Sequence, residues 1–306
     1  MSKAYVFTRH GGPETQALID VDRPAPGPGE LLIAVRAAGV NPVDWKLRTG
    51  LRRPGDTGER VFPVVLGSEA SGVVTALGEG VTGFAVGDEV FGATLTGGYA
   101  EETILPAAIT AHKPAALSFA DAATLPVAAA TAYDGVHQLA LPAGATLLIT
   151  GAGGGVGVAA VQIAHSLGLK VVGVASAAKK EFVESLGAVH VESGDGWTDR
   201  VPGPVDAVYD LVGGDALEQA AGFVSGPGKL ITAGEPEDVV AALGGTRVVR
   251  ARSAAVLDAV AALVVRGDLN PYVTARYPLE RAVEALRAVE EGHARGKVVI
   301  EIEDAR

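Results

Sequence analysis

The segment Leu147-Leu-Ile-Thr150 runs without a break into Gly151-Ala-Gly-Gly-Gly-Val-Gly157, and Val156, Ala159, Ala160, Ile163, Ala164 and Leu167 then recur at helical spacing. A buried strand, a glycine turn and a helix in that order open a βαβ unit and leave the fold little freedom. The glycines permit a tight turn and let backbone N–H groups approach an anion at the helix N-terminus. In register with Gly154 and Gly157 the first position of the turn is Ala152, so the form is Ala-x-Gly-x-x-Gly with Gly155 and Val156 inside it. A glycine-rich turn alone is more often only structural. Strand before and helix behind favour a dinucleotide pyrophosphate.

The next apolar run, Lys170–Ala175, reads as the second strand. NAD-binding folds of this kind place an Asp or Glu at the end of that strand, on the ribose 2′-hydroxyl. This chain instead reads Val174-Ala-Ser-Ala-Ala-Lys-Lys180. Ser176, Lys179 and Lys180 suit a 2′-phosphate, and the expected cofactor is NADPH. The competing reading makes both lysines the solvated first turn of a helix, with Glu181 weakening the patch.

The texture of the chain changes near Ser118. Before it, short apolar stretches at residues 4–7, 31–35, 72–77, 88–91 and 99–104 are broken by Gly and Pro, as in a small twisted β-barrel. After it, Ala-rich helical segments alternate with β-branched runs, as in a parallel sheet. Strands are expected at 145–150, 170–175, 206–212, 229–233 and 247–251, and helices at 179–186, 215–224 and 254–266. A last helix over 279–291 and strand over 297–302 return to the first domain. The expected fold class is α/β, with a barrel domain over 1–118, a doubly wound parallel-sheet domain over 119–266 and a C-terminal return over 267–306.

Composition narrows the chemistry. None of the 306 residues is Cys, which excludes disulfides, iron–sulfur clusters, thiolate zinc sites and a Cys nucleophile. The six His lack metal-ligand spacing. Lys and Arg total 25 against 36 Asp and Glu, a net charge of -11 that opposes nucleic acid as a partner. Apolar runs stop well short of the roughly 20 residues that span a bilayer, so no membrane segment is expected. The start lacks a signal-peptide core, and a cytoplasmic location is the expectation.

Further motifs carry a family resemblance across essentially the whole chain. They are Ala37-Ala-Gly-Val-Asn-Pro-Val-Asp-Trp-Lys46, Val65-Leu-Gly-Ser-Glu-Ala-Ser-Gly72, Gly83-Phe-Ala-Val-Gly-Asp-Glu-Val90, Gly98-Tyr-Ala-Glu101, Ala123-Thr-Leu-Pro-Val127 and Gly292-His-Ala-Arg-Gly-Lys-Val298. With the glycine turn they resemble the medium-chain dehydrogenase/reductase superfamily, in its zinc-free quinone oxidoreductase and enone (alkenal) reductase branch. The resemblance implies a GroES-like barrel into which a Rossmann domain is inserted, with cofactor and substrate in the cleft between them. It also implies NADPH-dependent reduction and a homodimer. Zinc alcohol dehydrogenases resemble this chain too, and hold catalytic zinc with a Cys, a His-Glu pair and a second Cys. The matching positions look like Asn41, Ser68-Glu69 and about Val127, so no metal is expected. Without that Lewis acid, an already electron-poor quinone or conjugated enone is the expected acceptor.

The same resemblance points to individual residues. Asn41 either caps the turn before Pro42 or faces nicotinamide or substrate. Lys46 either reaches cofactor or substrate, countering developing negative charge or holding phosphate, or is a surface lysine. Trp45 either lines the acceptor site or anchors a loop. Thr131 matches a position near the nicotinamide, or else bonds back to its own helix. Ser193 stands where relatives often carry a Tyr beside the adenosine. Leu211, Val212 and Gly234 border the cofactor at the carboxyl edge of the sheet. Val249 and Ala251 fall on a strand passing the nicotinamide and pairing across the dimer, and Ala294 closes the pocket. Other functions compatible with these residues are an enoyl-thioester reductase and a non-catalytic NADPH-binding or sensing protein.

Overall fold

The computed structural model describes residues 1–52, 60–226, 228–292 and 294–303. Eight strands come first: β1 (Ser2–Phe7), β2 (Gln16–Val21), β3 (Glu30–Val40), β4 (Val64–Val65), β5 (Glu69–Leu77), β6 (Glu89–Ala93), β7 (Glu102–Pro106) and β8 (Thr110–His112). The next six are β9 (Thr146–Thr150), β10 (Lys170–Ala175), β11 (Ala188–Glu192), β12 (Ala207–Asp210), β13 (Leu230–Thr232) and β14 (Thr246–Arg247). β15 (Val273–Pro278) and β16 (Lys297–Glu301) close the chain. The helices are α1 (Pro42–Arg48), α2 (Phe119–Ala122), α3 (Ala130–Gln138), α4 (Gly155–Ser166), α5 (Lys180–Ser185), α6 (Gly214–Ala221), α7 (Glu237–Ala242), α8 (Ala254–Arg266) and α9 (Ala282–Glu290).

The chain divides into two compact units. The first holds Met1–Val127, Ser253–Ala261 and the stretch from Val273 onward; the second holds Ala128–Arg252 and Ala262–Tyr272. The first unit thus runs to Val127, takes the chain up again over Ser253–Ala261, and holds it from Val273.

In the first unit β2-β1-β4 form one sheet, and β15-β16-β3-β5-β6-β8 another, to which β7 adds on β3. The long β3 organises this second sheet, pairing with β5, β7 and β16. Its core-facing residues are Leu31, Ile33 and Val35, then Ala38 and Val40. That change from odd to even positions coincides with the register shift between Val35 and Ala37 against β5. A bulge inserts one residue, bends the strand and reverses which parity faces inward. One strand can therefore keep its apolar side on the core while turning around it.

In the second unit all six strands are parallel, in the order β11-β10-β9-β12-β13-β14. Leu147, Leu148 and Ile149 of β9 are all fully buried, as both faces of a helix-covered parallel sheet require. The chain leaves β11 at one edge and resumes at β12 beside β9. Strand order reverses there, and ligands bind such sheets at the carboxyl ends of the strands flanking that point.

Three expectations need correction. Residues 247–251 are not a strand beyond Arg247: the Val249 N–H donates to Gln138 Oε1 (2.9 Å) and the Ala251 N–H to Asp134 Oδ2 (2.9 Å). Side chains one turn apart on α3 thus satisfy the amides that a sheet neighbour would otherwise take. The stretch 99–104 becomes a strand only at Glu102, Ala100 making a lone bridge to Ala4. β2, β4, β8, β11, β15, α1 and α7 were not anticipated.

Candidate functional site

The glycine turn lies in the second unit at the switch point of the sheet. Gly154 caps α4 in an extended conformation, and the helix opens at Gly155. A Cβ on Gly157 would stand 2.2 Å from the Gly151 carbonyl oxygen, and Gly151 itself has φ +69°. Side chains at these positions would force the turn away from the strand. A Cβ on Gly153 would stand 2.6 Å from Lys179 Cδ, so the Lys179 stem lies directly against the turn. Ser176 is exposed at the head of the short turn that follows β10, and Lys180 is exposed at its other end, where α5 opens. Among Ser176–Lys180 there is no carboxylate.

Other sequence-selected residues gather here. A Cβ on Gly151 would meet Val212 Cγ2 at 3.1 Å and Leu211 Cβ at 3.4 Å, so the loop after β12 forms a wall beside the turn. A Cβ on Gly234 would lie 3.0 Å from the Gly213 nitrogen, bringing the loop after β13 alongside. The Ser193 N–H donates to the Ala175 carbonyl (2.8 Å), placing it at the end of β10. Thr131 is buried on α3, where its carbonyl accepts from the Tyr209 hydroxyl (2.8 Å). That approach depends on Gly135, whose Cβ would fall 2.4 Å from Tyr209 Cζ. Val249 and Ala251 are exposed and tied to α3, so the strand on which their assignment rested is absent.

The first unit carries a buried polar cluster around the start of α1. The Asn41 N–H donates to Asp44 Oδ2 (2.9 Å), and Asp44 also accepts from Ser68 Oγ (2.6 Å) and the Tyr99 hydroxyl (2.8 Å). Burial pushes the Asp44 carboxyl up, and these three donors pull it back. Burial, and then the Asp44 charge, hold the Tyr99 phenol well above its ordinary value. The Asn41 side chain is spent inside this cluster: Nδ2 donates to Glu69 Oε1 (2.7 Å), while Oδ1 accepts from Lys297 Nζ (2.6 Å). Lys297 Nζ also reaches Glu69 Oε1 (3.0 Å) and the Val40 carbonyl (3.2 Å). Glu69 Oε2 accepts the Val127 N–H (2.7 Å). Asn41 is 3% exposed.

Lys46 is exposed, with Nζ 5.7 Å from the Trp45 ring centroid. Trp45 packs against the barrel core, and its buried indole N–H has no hydrogen-bond partner among the described residues. Ala294 packs against the same core. Sequence reasoning assigned no role to Lys297, Tyr99, Thr150, Asp210 or Thr232. For the last three a signal existed: three strands of the sheet each end on a single polar residue followed by a glycine-bearing loop.

Two family models match the chain, the alcohol dehydrogenase GroES-like domain over residues 27–115 and the zinc-binding dehydrogenase over 180–300. A 2-methylene-furan-3-one reductase of Solanum lycopersicum is 33% identical over 97% of this chain and 78% of its own. The quinone oxidoreductase of Homo sapiens is 31% identical over 95% and 94%. A polyketide synthase of Streptomyces halstedii, GfsB, is 34% identical over 90% of this chain and 5% of its own length. Among solved structures, the quinone oxidoreductase from Coxiella burnetii superposes with a TM-score of 0.90 at 29% identity, covering 99% of both chains. A mycobacterial protein complexed with NADPH gives 0.85 at 30% identity over 98% and 100%. The fold and the glycine turn define an oxidoreductase with a GroES-like domain and a Rossmann-type sheet. The chain belongs to the medium-chain dehydrogenase/reductase superfamily, in the branch of quinone oxidoreductases and enone reductases.

The zinc named by one family model does not fit the residues present. At the matching positions stand an amide, a hydroxyl, one carboxylate and a backbone amide. Both carboxylate oxygens of Glu69 already accept hydrogen bonds, and the Lys297 ammonium sits between Glu69 and Asn41. A divalent ion brought to these oxygens would meet that ammonium and find neither thiolate nor imidazole. Among the described residues no group of three His, Asp or Glu is arranged to hold a metal.

Proposed function

We propose that the protein is an NADPH-dependent reductase that delivers hydride to quinones or to the β-carbon of α,β-unsaturated carbonyls, without zinc. The observation that carries this reading is the segment Ser176–Lys180 after β10, which carries two lysines and no carboxylate, with the Lys179 stem laid against Gly153 of the glycine turn. Bound NADPH would supply the hydride. The amides of Gly155, Val156 and Gly157 would bind its pyrophosphate at the N-terminus of α4, while the Ala152 and Gly154 N–H groups, given to the Val174 and Gly151 carbonyls (3.1 and 3.0 Å), shape the turn. Ser176, Lys179 and Lys180 hold the 2′-phosphate, Ser193 lies beside the adenosine, and Leu211, Val212, Gly234 and Thr131 orient the remainder. Lys46 supplies a countercharge and Trp45 an apolar surface. Asn41 acts indirectly by fixing the start of α1. Proximity provides much of the rate, because the acceptors are electron-poor without a Lewis acid.

Purified protein given NADPH or NADH, with phenanthrenequinone, benzoquinone and a simple enone, tests this through the absorbance of the reduced nicotinamide. Turnover with NADPH preferred is expected, and no oxidation with any acceptor would overturn the reading. The polyketide synthase among the relatives favours an enoyl-thioester reductase as the second reading. Turnover of crotonyl-CoA with quinones and free enones inert would select it. The same preparation, run by sedimentation velocity, tests the homodimer.

A further inference from the structure

At the carboxyl edge of the second unit's sheet, Thr150, Asp210 and Thr232 stand side by side on three adjacent parallel strands. Asp210 pairs in register with Thr232, and the Tyr209–Ile149 pairing sets it opposite Thr150. All three are 1% exposed or less. Thr150 Oγ1 donates to Asp210 Oδ1 and Thr232 Oγ1 donates to Oδ2, both at 2.6 Å. The threonine oxygens then accept from the loops beyond: Leu211 N–H on Thr150 (3.0 Å), and Gly234 and Glu235 N–H on Thr232 (3.0 and 3.3 Å). The carboxylate itself takes the Val212 N–H (3.2 Å) and the Gly213 N–H (3.2 and 3.1 Å to its two oxygens). Five amides from the loops after β12 and β13 are thereby tied, directly or through one hydroxyl, to a single buried carboxylate.

An apolar row would hold three strands together at least as well, since a buried charge is a poor source of net stability. What an apolar row cannot do is fix the directions of loop amides. The loop it fixes carries Val212, which stands against Gly151 of the glycine turn. We infer that Asp210, with Thr150 and Thr232 as its arms, is a positioning residue that sets the loop wall of the dinucleotide crevice. The inference rests on the cofactor reading above. Asp210 itself touches no cofactor; it acts through Leu211, Val212, Gly213 and Gly234.

The test compares Thr232→Val, Thr232→Ser and Asp210→Asn, reading NADPH affinity from the fluorescence of the bound cofactor, with KM and kcat measured alongside. Losing a hydrogen bond to a charged group makes about a tenfold weaker NADPH Kd and KM the expected result for T232V and D210N. With loop placement rather than chemistry altered, kcat at saturating cofactor stays within about twofold. T232S, which keeps the hydroxyl, binds like wild type. Wild-type affinity in folded T232V overturns the inference, as does a T232S variant as weak as T232V, which would mean that methyl packing is what matters. If D210N does not fold, the T232V and T232S pair decides alone. Absence of NADPH binding by the wild type would instead bring down the cofactor reading, and this inference with it.

Discussion

Lys297 is the residue whose environment says most about the buried polar cluster of the first unit. Its side chain is 4% exposed and its carboxylate partner Glu69 is fully buried, with the Asn41 amide bridging the two. A buried pair adds little net stability over an apolar one, but removing one partner strands the other's charge and costs about 3–5 kcal/mol. Lys297→Met is therefore expected to destabilise the protein by roughly that amount, read by urea unfolding at neutral pH. The double variant Lys297→Met, Glu69→Gln leaves no stranded charge and recovers a substantial part. A K297M protein as stable as wild type would mean that the pair contributes nothing to fixing Asn41. Such a network is invisible to local pattern reading, because Lys297 lies 256 residues from Asn41 and 228 from Glu69.

At the scale of elements, the segment after β14 shows how side chains substitute for a strand partner. Burial raises the Asp134 carboxyl above its usual value, and the Ala251 amide, then His137 and Arg250, pull it partway back. A raised carboxyl favours the neutral form in the folded state. Its contribution to stability is full below the unfolded value, near 3.8, and is lost as pH rises through the folded value. Asp134→Asn keeps an acceptor for the Ala251 N–H and removes that penalty. Unfolding measured from acid to neutral pH should find its stability gaining on wild type as pH rises; a pH-independent difference would refute this. Gln138→Ala should cost about 1 kcal/mol and speed hydrogen exchange at Val249. The misreading of 247–251 has the same physical root. Val249 has the side chain of a strand residue, but its amide is taken by Gln138 on a helix more than a hundred residues earlier in the chain, whereas the Val248 N–H still reaches the Thr232 carbonyl of β13 (2.9 Å). Where pattern and partner are both local, as at β10 and α8, the sequence reading and the structure agree residue for residue. The glycine turn was legible for the same reason. The Thr150–Asp210–Thr232 row was not, since it forms only when the sheet aligns three strand ends.

Over the whole molecule, charge sets two opposing fields for an anionic cofactor. The net charge of -11 repels NADPH from a distance, whereas Lys179 and Lys180 attract its 2′-phosphate, which carries about −1.5 to −2 charges. Salt screens both, with a Debye length of about 10 Å at 0.1 M, but their dominance depends on range. At the binding site the lysines are near and the remaining charges diffuse, so in the wild type the patch should win and added salt should raise the NADPH KM. In Lys179→Ala, Lys180→Ala the attraction local to the 2′-phosphate is removed, and the net repulsive field dominates there. Its NADPH KM should be higher by about tenfold at low salt, the size of effect expected for losing charge-assisted phosphate contacts, and should fall as salt is added. NADH lacks the 2′-phosphate, and its KM should change much less between the two proteins. The sign of the salt slope is the decisive readout, because general damage to the site would weaken both cofactors and leave that sign unchanged. Equal slopes for wild type and double variant would place the 2′-phosphate elsewhere than the end of β10.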